Sequence, residues 1–324
     1  MLKLSLLIAA RDVARLEVSL VSVLQSRPAD CEIVVVHDDA YNDPYRLAGE
    51  VRFVAAARNS DEIERLNVGV RACRAPVVHV LSCGAEVHEG WTDPVLRHFS
   101  DTRVAAVAPL LLSADGNQIE SAGIEYRRSG VRVARHNRRP LHAIDDEPTS
   151  ILGPAMSAAF YRASALERLH GPFNRSVGSR WADVDIALRL ARAGYCAIVE
   201  PGSRVFAAPR NEQVSPLADA WLAERMFWQH ARQLGWVRST VSHLGVVFAE
   251  AAVSVIRPLL AGRVIGRLSG CLEHAMFGGR ANDDADREPV SISVPAGLKL
   301  RDSQAKIALA GHGGGRRNDA SKAA

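Results

Sequence analysis

The chain is 324 residues long, 48% hydrophobic and 23% charged, with a formal net charge of +4. That is ordinary soluble globular material, enough for one large α/β domain plus extensions. The arginines are scattered and no basic-aromatic motif is present, so nucleic acid is not an expected partner. The cysteines (Cys31, Cys73, Cys83, Cys196, Cys271) lie far apart with no Cys-x-x-Cys pair. This argues against a zinc site or disulfide framework and for a reducing cytoplasm.

Residues 4–10 are apolar, too short for a signal peptide, and predict a first strand. A helix is expected over 13–24, with Val13, Leu16, Leu20, Val23 and Leu24 on one face. The β-branched run 32–36 predicts a second strand, ending in the polar turn 37–43. A third strand is expected at 51–55 and a helix at 61–72. Residues 77–81 form another apolar run, read as a strand buried on both faces. It stops abruptly at Ser82, Cys83 and Gly84, and a helix restarts near Trp91, with Thr92, Asp93 and Pro94 as its start signal. Alternation of strand and helix at this spacing argues for a parallel, doubly wound sheet. Right-handed crossovers would bring the carboxyl ends of its strands to one edge, where ligands bind in such sheets. No period of 20 to 50 residues repeats, which argues against a solenoid.

Further strands are expected at 104–112 and 119–126, joined by a turn with an Asp-Gly signal. Residues 127–150 are polar and basic and read as an exposed irregular loop. A strand at 156–161, a short helix at 163–169, a strong helix at 183–193 with Gly194 as its stop, and a last strand at 196–200 follow. Residues 216–234 predict an amphipathic helix. Residues 239–256 are apolar but interrupted by His243 and Glu250, a poor fit to a membrane span. A helix packed on the core or at a subunit contact, or one lying on a membrane surface between Arg238, Arg257, Arg263 and Arg267, fits better. From 280 onward the composition predicts a disordered tail with one apolar patch at 290–300.

The order and spacing of these segments resemble family 2 glycosyltransferases of the GT-A type. Residues 32–43 resemble that family's Val-Val-Asp-Asp-Gly-Ser nucleotide segment. Asn67 and Gly69 match its Asn-x-Gly. Residues 170–174 stand for its Gly-Gly-Phe-Asp, and Trp181-Ala182-Asp183-Val184-Asp185 for its Glu-Asp-x-Asp. The resemblance spans residues 3–208 and, more weakly, continues to 278. It implies a doubly wound, mostly parallel sheet with helices on both faces and added C-terminal helices. On that reading, 1–210 is a nucleotide-sugar-binding catalytic domain, 211–279 a helical extension and 280–324 the tail. The implied activity is inverting transfer of a sugar from a nucleotide-sugar to a glycan or lipid-linked acceptor, in the cytoplasm or at the inner membrane face with peripheral membrane contact. The alternative is a non-catalytic relative that binds a nucleotide-sugar or glycan and scaffolds a partner.

The resemblance makes Asp183 the general base; a helix N-cap is the other reading of the same residue. Asp185 is expected to cap or to pair with Arg189. Donor contacts are expected from Ala10, Arg11, Asp38, Asn67, Ser82 and Gly84. Asp38 is assigned to the base or ribose, and Asn67 to the loop near the donor or to a local turn. The family's Asp-x-Asp, which holds Mg²⁺ or Mn²⁺ on the diphosphate, is replaced here by Ser82, Cys83 and Gly84, and its later His is missing from 203–208. Hard cations prefer carboxylate oxygens, and a thiol is a poor substitute. Three explanations stand: metal-independent catalysis with Arg11, Arg204 or Arg210 facing the diphosphate; a displaced metal site using Glu86 and His88; or binding without catalysis. Cys83 is expected to be an inert thiol.

Overall fold

The computed structural model describes residues 1–281 apart from 11, 39, 40, 42, 170, 209–214, 233 and 257–260; the side chains of 255, 256, 261 and 274–281 are likewise outside the description. The expected tail, its apolar patch, Arg11, Arg210 and Arg257 therefore lie outside the described residues.

The first half alternates strand and helix as the apolar periods demand. It runs β1 (Leu4–Ala9), α1 (Val13–Gln25), β2 (Cys31–His37), β3 (Val51–Ala55), α2 (Glu62–Ala72) and β4 (Val77–Leu81). Asp12 caps α1, accepting from the Arg15 backbone N–H, and Asp61 and Glu64 form a reciprocal capping box on α2. β1 pairs in parallel with β2 on one side and with β4 on the other, and β2 pairs in parallel with β3. All five residues of β4 are buried, as a strand covered on both faces requires. α2 lies close against β1: a Cβ at Gly69 would fall 2.1 Å from Leu7 Cδ1.

The second half is mixed. β5 (Glu86–Val87), α3 (Asp93–His98), β6 (Val104–Leu112), β7 (Gln118–Ser121), β8 (Ile124–Tyr126), β9 (Arg132–Ala134), β10 (Arg139–Pro140), β11 (Thr149–Ile151), β12 (Ala158–Arg162), α4 (Ala163–Arg168), α5 (Gly178–Arg192) and β13 (Cys196–Phe206) follow. β12 enters antiparallel between β4 and β6, extending the sheet to β10-β7-β6-β12-β4-β1-β2-β3. One core layer packs Leu6, Ile8, Leu16, Leu20 and Trp91 on one face of the sheet; the other packs Leu7, Leu66, Tyr161, Ile186 and Leu190 on the opposite face.

Several expectations change. The strand expected over 119–126 divides at Gly123, whose φ of +88° and proximity to Ile151 leave no room for a side chain. Residues 127–150 are not an irregular loop: β8 and β9 form a hairpin, β10 pairs with β7 and β11 with β13. Backbone hydrogen bonding, which polar side chains do not advertise, makes that order. α5 begins at Gly178 rather than at residue 183, so Asp183 lies in its second turn and is not an N-cap.

The C-terminal helices are α6 (Pro216–His230), α7 (Trp236–Ile256) and α8 (Ala261–Ala281). α8 approaches α6 through Gly266 and Gly270, where a Cβ would sit 2.2 Å from the Leu217 carbonyl oxygen and 2.7 Å from Glu224 Cβ. The apolar run in α7 is interrupted as expected, and among the described residues no helix is long and apolar enough to cross a membrane.

His79, in the middle of β4, is fully buried, stacked on Phe160 at 3.7 Å, and accepts a hydrogen bond from Trp91 Nε1 at 3.1 Å. Burial pushes its pKa down to about 3. The unfolded chain therefore binds a proton that the folded chain refuses between pH 6.5 and 3. Stability from this residue is complete above pH 6.5 and falls by about 1.4 kcal/mol per pH unit below it. His79→Gln, which still offers Trp91 an acceptor, is expected to remove that part of the acid slope in urea unfolding between pH 7 and 4; an unchanged slope counts against it.

Candidate functional site

Because β1, β2 and β4 are parallel neighbours, Ala10, Asp38 and Ser82 reach the same edge of the sheet, at the point where strand order reverses around β1. Ala10 donates its backbone N–H to Val36 at 2.8 Å, which fixes the end of β1 against β2. Asp38 is exposed just beyond β2. Beside it, His37 and Tyr41 rings lie 5.5 Å apart and Tyr41 and Phe53 rings 5.1 Å apart. The Tyr41 hydroxyl is buried and finds no hydrogen-bond partner. Arg11 lies outside the described residues.

The loop after β4 is held by side chains of α1. Ser19 Oγ accepts from the Gly84 N–H and donates to the Ala85 carbonyl, both at 2.8 Å. Ser22 Oγ makes the same pair of contacts with Val87, at 2.8 and 3.3 Å. On the other side, the Ser82 N–H donates to the Ser157 carbonyl at 2.9 Å, just before β12. Cys83 donates through Sγ to the Asp12 carbonyl at 3.5 Å. Gly84 has φ +91°, and a Cβ there would lie 3.3 Å from Ala208 Cβ and 3.4 Å from Arg15 Cβ. An aspartate at this position would be strained by its backbone as well as crowded. Ser19, Ser22 and Arg15 were not singled out by sequence; two serines three apart on an otherwise apolar helix face were the available signal.

This rim does not suit Mg²⁺ or Mn²⁺. Its side-chain donors are a hydroxyl and a thiol, and Gly84 and Ala208, which face each other there, offer no side-chain ligand. Glu86 is an exposed residue of β5 laddered to Phe206. His88 is exposed, with Nδ1 3.0 Å from the Glu89 carbonyl. Among the described residues no group of three or more His, Cys, Asp or Glu side chains could hold a metal ion. Glu86 and His88 thus gather no further ligand among the described residues.

Asp183 is 2% exposed. The guanidinium of Arg132, on β9, clasps it: Nε lies 3.1 Å from each carboxylate oxygen and Nη2 lies 2.6 Å from Oδ2. Burial disfavours the charge on Arg132, but the Asp183 carboxylate more than restores it and raises its pKa. Asp183 also bears on Tyr161, whose buried, unpartnered hydroxyl is pushed upward in pKa by burial first and by that negative charge second. Asp185 is fully buried and pairs with Arg189 at 3.4 Å, as expected, and with His230 of α6 at 2.9 Å. The segment before β12 links the rim to α5: Ser157 bonds Ser82, and Ala155 packs with Trp181 and Val184.

Asn67 does not offer its amide outward. Nδ2 donates to the Phe173 carbonyl at 2.7 Å and Oδ1 accepts from the Phe173 N–H at 3.1 Å. It therefore ties α2 to the loop that leads into α5. Arg132 itself lay in the stretch read as irregular loop, and the Ser129-Gly130 pair ahead of it was the turn signal.

The chain matches none of the known protein-family profiles. It is 27% identical over 252 residues to a pre-mycofactocin glycosyltransferase of Mycobacterium tuberculosis, covering 78% of this chain and 47% of that protein. It is 32% identical over 112 residues to polypeptide N-acetylgalactosaminyltransferase 12 of Mus musculus, covering 32% of this chain and 19% of that protein. The chain thus spans less than half the length of either relative. Among solved structures, GalNAc-T7 with UDP, GalNAc and Mn²⁺ superposes with a TM-score of 0.53 at 18% identity, over 70% of this chain and 47% of that one. Staphylococcus aureus TarS superposes with a TM-score of 0.50 at 12% identity, over 71% and 39%. The chain therefore has the α/β fold of GT-A glycosyltransferases.

Removing one partner of a buried ion pair leaves the other charge uncompensated, at a cost of about 3–5 kcal/mol. Arg132→Ala is expected to lower the unfolding free energy by about 3 kcal/mol, and Asp183→Asn in that background to recover much of the loss. Urea denaturation measures both; an Arg132→Ala variant as stable as the parent would show that the clasp carries no weight.

Proposed function

We propose that this chain is a glycosyltransferase that moves a sugar from a nucleotide-sugar donor to an acceptor hydroxyl, with inversion at the anomeric carbon. The observation that carries the reading is a buried carboxylate, Asp183, joined through residues 155–157 to the carboxyl edge of β1, β2 and β4. The named relatives, both glycosyltransferases, support it.

In this reading the donor's nucleoside lies along Ala10 and Asp38, with the His37–Tyr41 rings beside the base, and its diphosphate lies over the Ser82–Gly84 backbone. Arg15, whose stem abuts the Gly84 position, and Arg204, half-buried on β13, are the cations available to offset the leaving diphosphate. Asp183 accepts the acceptor's proton as its oxygen bonds to the anomeric carbon and the bond to the diphosphate breaks. Oδ1 takes only the Arg132 Nε bond, so it keeps a lone pair for that proton. Asn67 acts indirectly, by fixing the loop before α5. The acceptor class is a glycan or a lipid-linked hydroxyl. The second reading, binding without turnover, is favoured by the same clasp, since the guanidinium already occupies both carboxylate oxygens.

Asp183→Asn is expected to abolish transfer while leaving UDP or GDP affinity within about threefold, and wild-type transfer is expected to persist in EDTA. Retained turnover removes Asp183 as base. Nucleotide binding with no turnover, with or without Mn²⁺, favours the binding module.

Peripheral membrane contact is part of the proposal. Val237, Val241, Leu244 and Phe248 of α7 and Ile265, Leu268 and Leu272 of α8 are exposed at helical spacing, with exposed Arg238 at one end. Such a stripe beside cationic residues suits an anionic lipid surface. The protein is expected to sediment with phosphatidylglycerol-containing vesicles more than with phosphatidylcholine vesicles, and Phe248→Glu to lose most of that binding. Indifference to both lipid charge and Phe248→Glu, or a dimer broken by the same change, would contradict it.

A further inference from the structure

A second set of buried charges joins the C-terminal helices and reaches the candidate site from behind. Glu224 of α6, His243 of α7 and Arg267 of α8 are 2%, 1% and 4% exposed. Arg267 bonds Glu224 at 3.1 Å and Glu250 at 2.5 Å, and Arg263 bonds Glu250 at 3.0 Å. Burial would raise the pKa of Glu224, but the bond from His243 and the charges of His243 and Arg267 outweigh it and hold the group below its ordinary value. Glu224 is therefore a carboxylate, able only to accept.

His243 stands between two acceptors. Its Nε2 lies 2.9 and 3.0 Å from the Glu224 oxygens, and its Nδ1 lies 2.8 Å from the Ser129 carbonyl oxygen. A neutral imidazole has one N–H, so both bonds together need the doubly protonated ring. The charged groups around it, from each helix packed there, are Glu224, Glu250, Arg263 and Arg267. With His243 charged the network holds three cations against two carboxylates.

The Ser129 carbonyl belongs to the turn of the β8–β9 hairpin. That turn is closed by Arg127 N–H to Val131 and Gly130 N–H to Arg127, both at 2.9 Å. Gly130 has φ +80°, and a Cβ there would lie 2.9 Å from His243 Nδ1 and 3.0 Å from Phe227 Cδ2. The turn thus rests directly on the His243 ring, which is itself stacked on Phe227 at 3.7 Å and 9°. Two residues past Gly130 is Arg132, the partner of Asp183.

We propose that His243 is a positioning residue for the candidate site: its doubly protonated ring struts the helical extension against the hairpin turn and so fixes Arg132 over Asp183. The catalytic consequence rests on the glycosyltransferase reading; the strut itself does not.

Hydrogen–deuterium exchange of the full chain tests it without any substrate. His243→Phe keeps the stack on Phe227 and loses both bonds. It is expected to speed exchange in residues 124–134 at least tenfold while β1, β2 and β4 stay protected. Gly130→Ala, which pushes the turn off the ring but leaves the His243–Glu224–Arg267 bonds in place, is expected to loosen the same residues, and serves if His243→Phe does not fold. Unchanged hairpin exchange in these variants, or uniform loosening of the whole chain, overturns the proposal. Where transfer is measurable, kcat is expected to fall with the donor KM unchanged. The predicted exchange pattern in a chain that transfers no sugar would sink the glycosyltransferase reading alone.

Discussion

A carboxylate inside a protein must find a cation or give up its charge, and at Asp183 that demand shapes the surrounding structure. Arg132 meets it from a hairpin that has little core of its own: β9 is only half-buried and each strand has three residues. Such a hairpin is marginal in isolation. Here it is held from three sides, by the Ile124–Gly153 bridge, by the clasp itself, and by the C-terminal helices beneath its turn. Asp185 on the same helix is braced by His230 of α6. α6 and α7 are thereby part of the candidate site's support, although they lie beyond the sheet in sequence.

The sheet was legible because its strands carry their own signal. Residues 51–55, 77–81 and 104–112 are short apolar runs with β-branched residues, and the structure has strands over those residues. α2 begins at a reciprocal Asp61–Glu64 capping box, a local signal that the sequence reading did not use. The hairpin was not legible. Its side chains are polar and arginine-rich, and its order comes from backbone pairing and from helices about a hundred residues away. The start of α5 was missed because Val177 at its N-cap supplies no side-chain cap and Gly178 and Ser179, which open it, are weaker helix formers. Asp183 stood out by pattern, but its partner could not, since nothing local links residues 132 and 183.

The rim after β4 is a loop held by its neighbours. Ser19 and Ser22 satisfy the loop's backbone from inside α1, Gly84 takes a left-handed conformation, and Ala208 closes on it. The loop is therefore specified by its backbone and its neighbours as well as by its own side chains. In the proposed reading, charge neutralisation at this edge falls to cations such as Arg15 and Arg204.

A crystal structure of the chain grown with UDP, and another with GDP, tests the central claim most directly. The account predicts one nucleotide along Ala10 and Asp38, with its diphosphate over Gly84 beside Arg15 and its open end toward Asp183. A nucleotide bound elsewhere on the molecule, or this edge empty in crystals of a protein that binds the same nucleotide in solution, would contradict it.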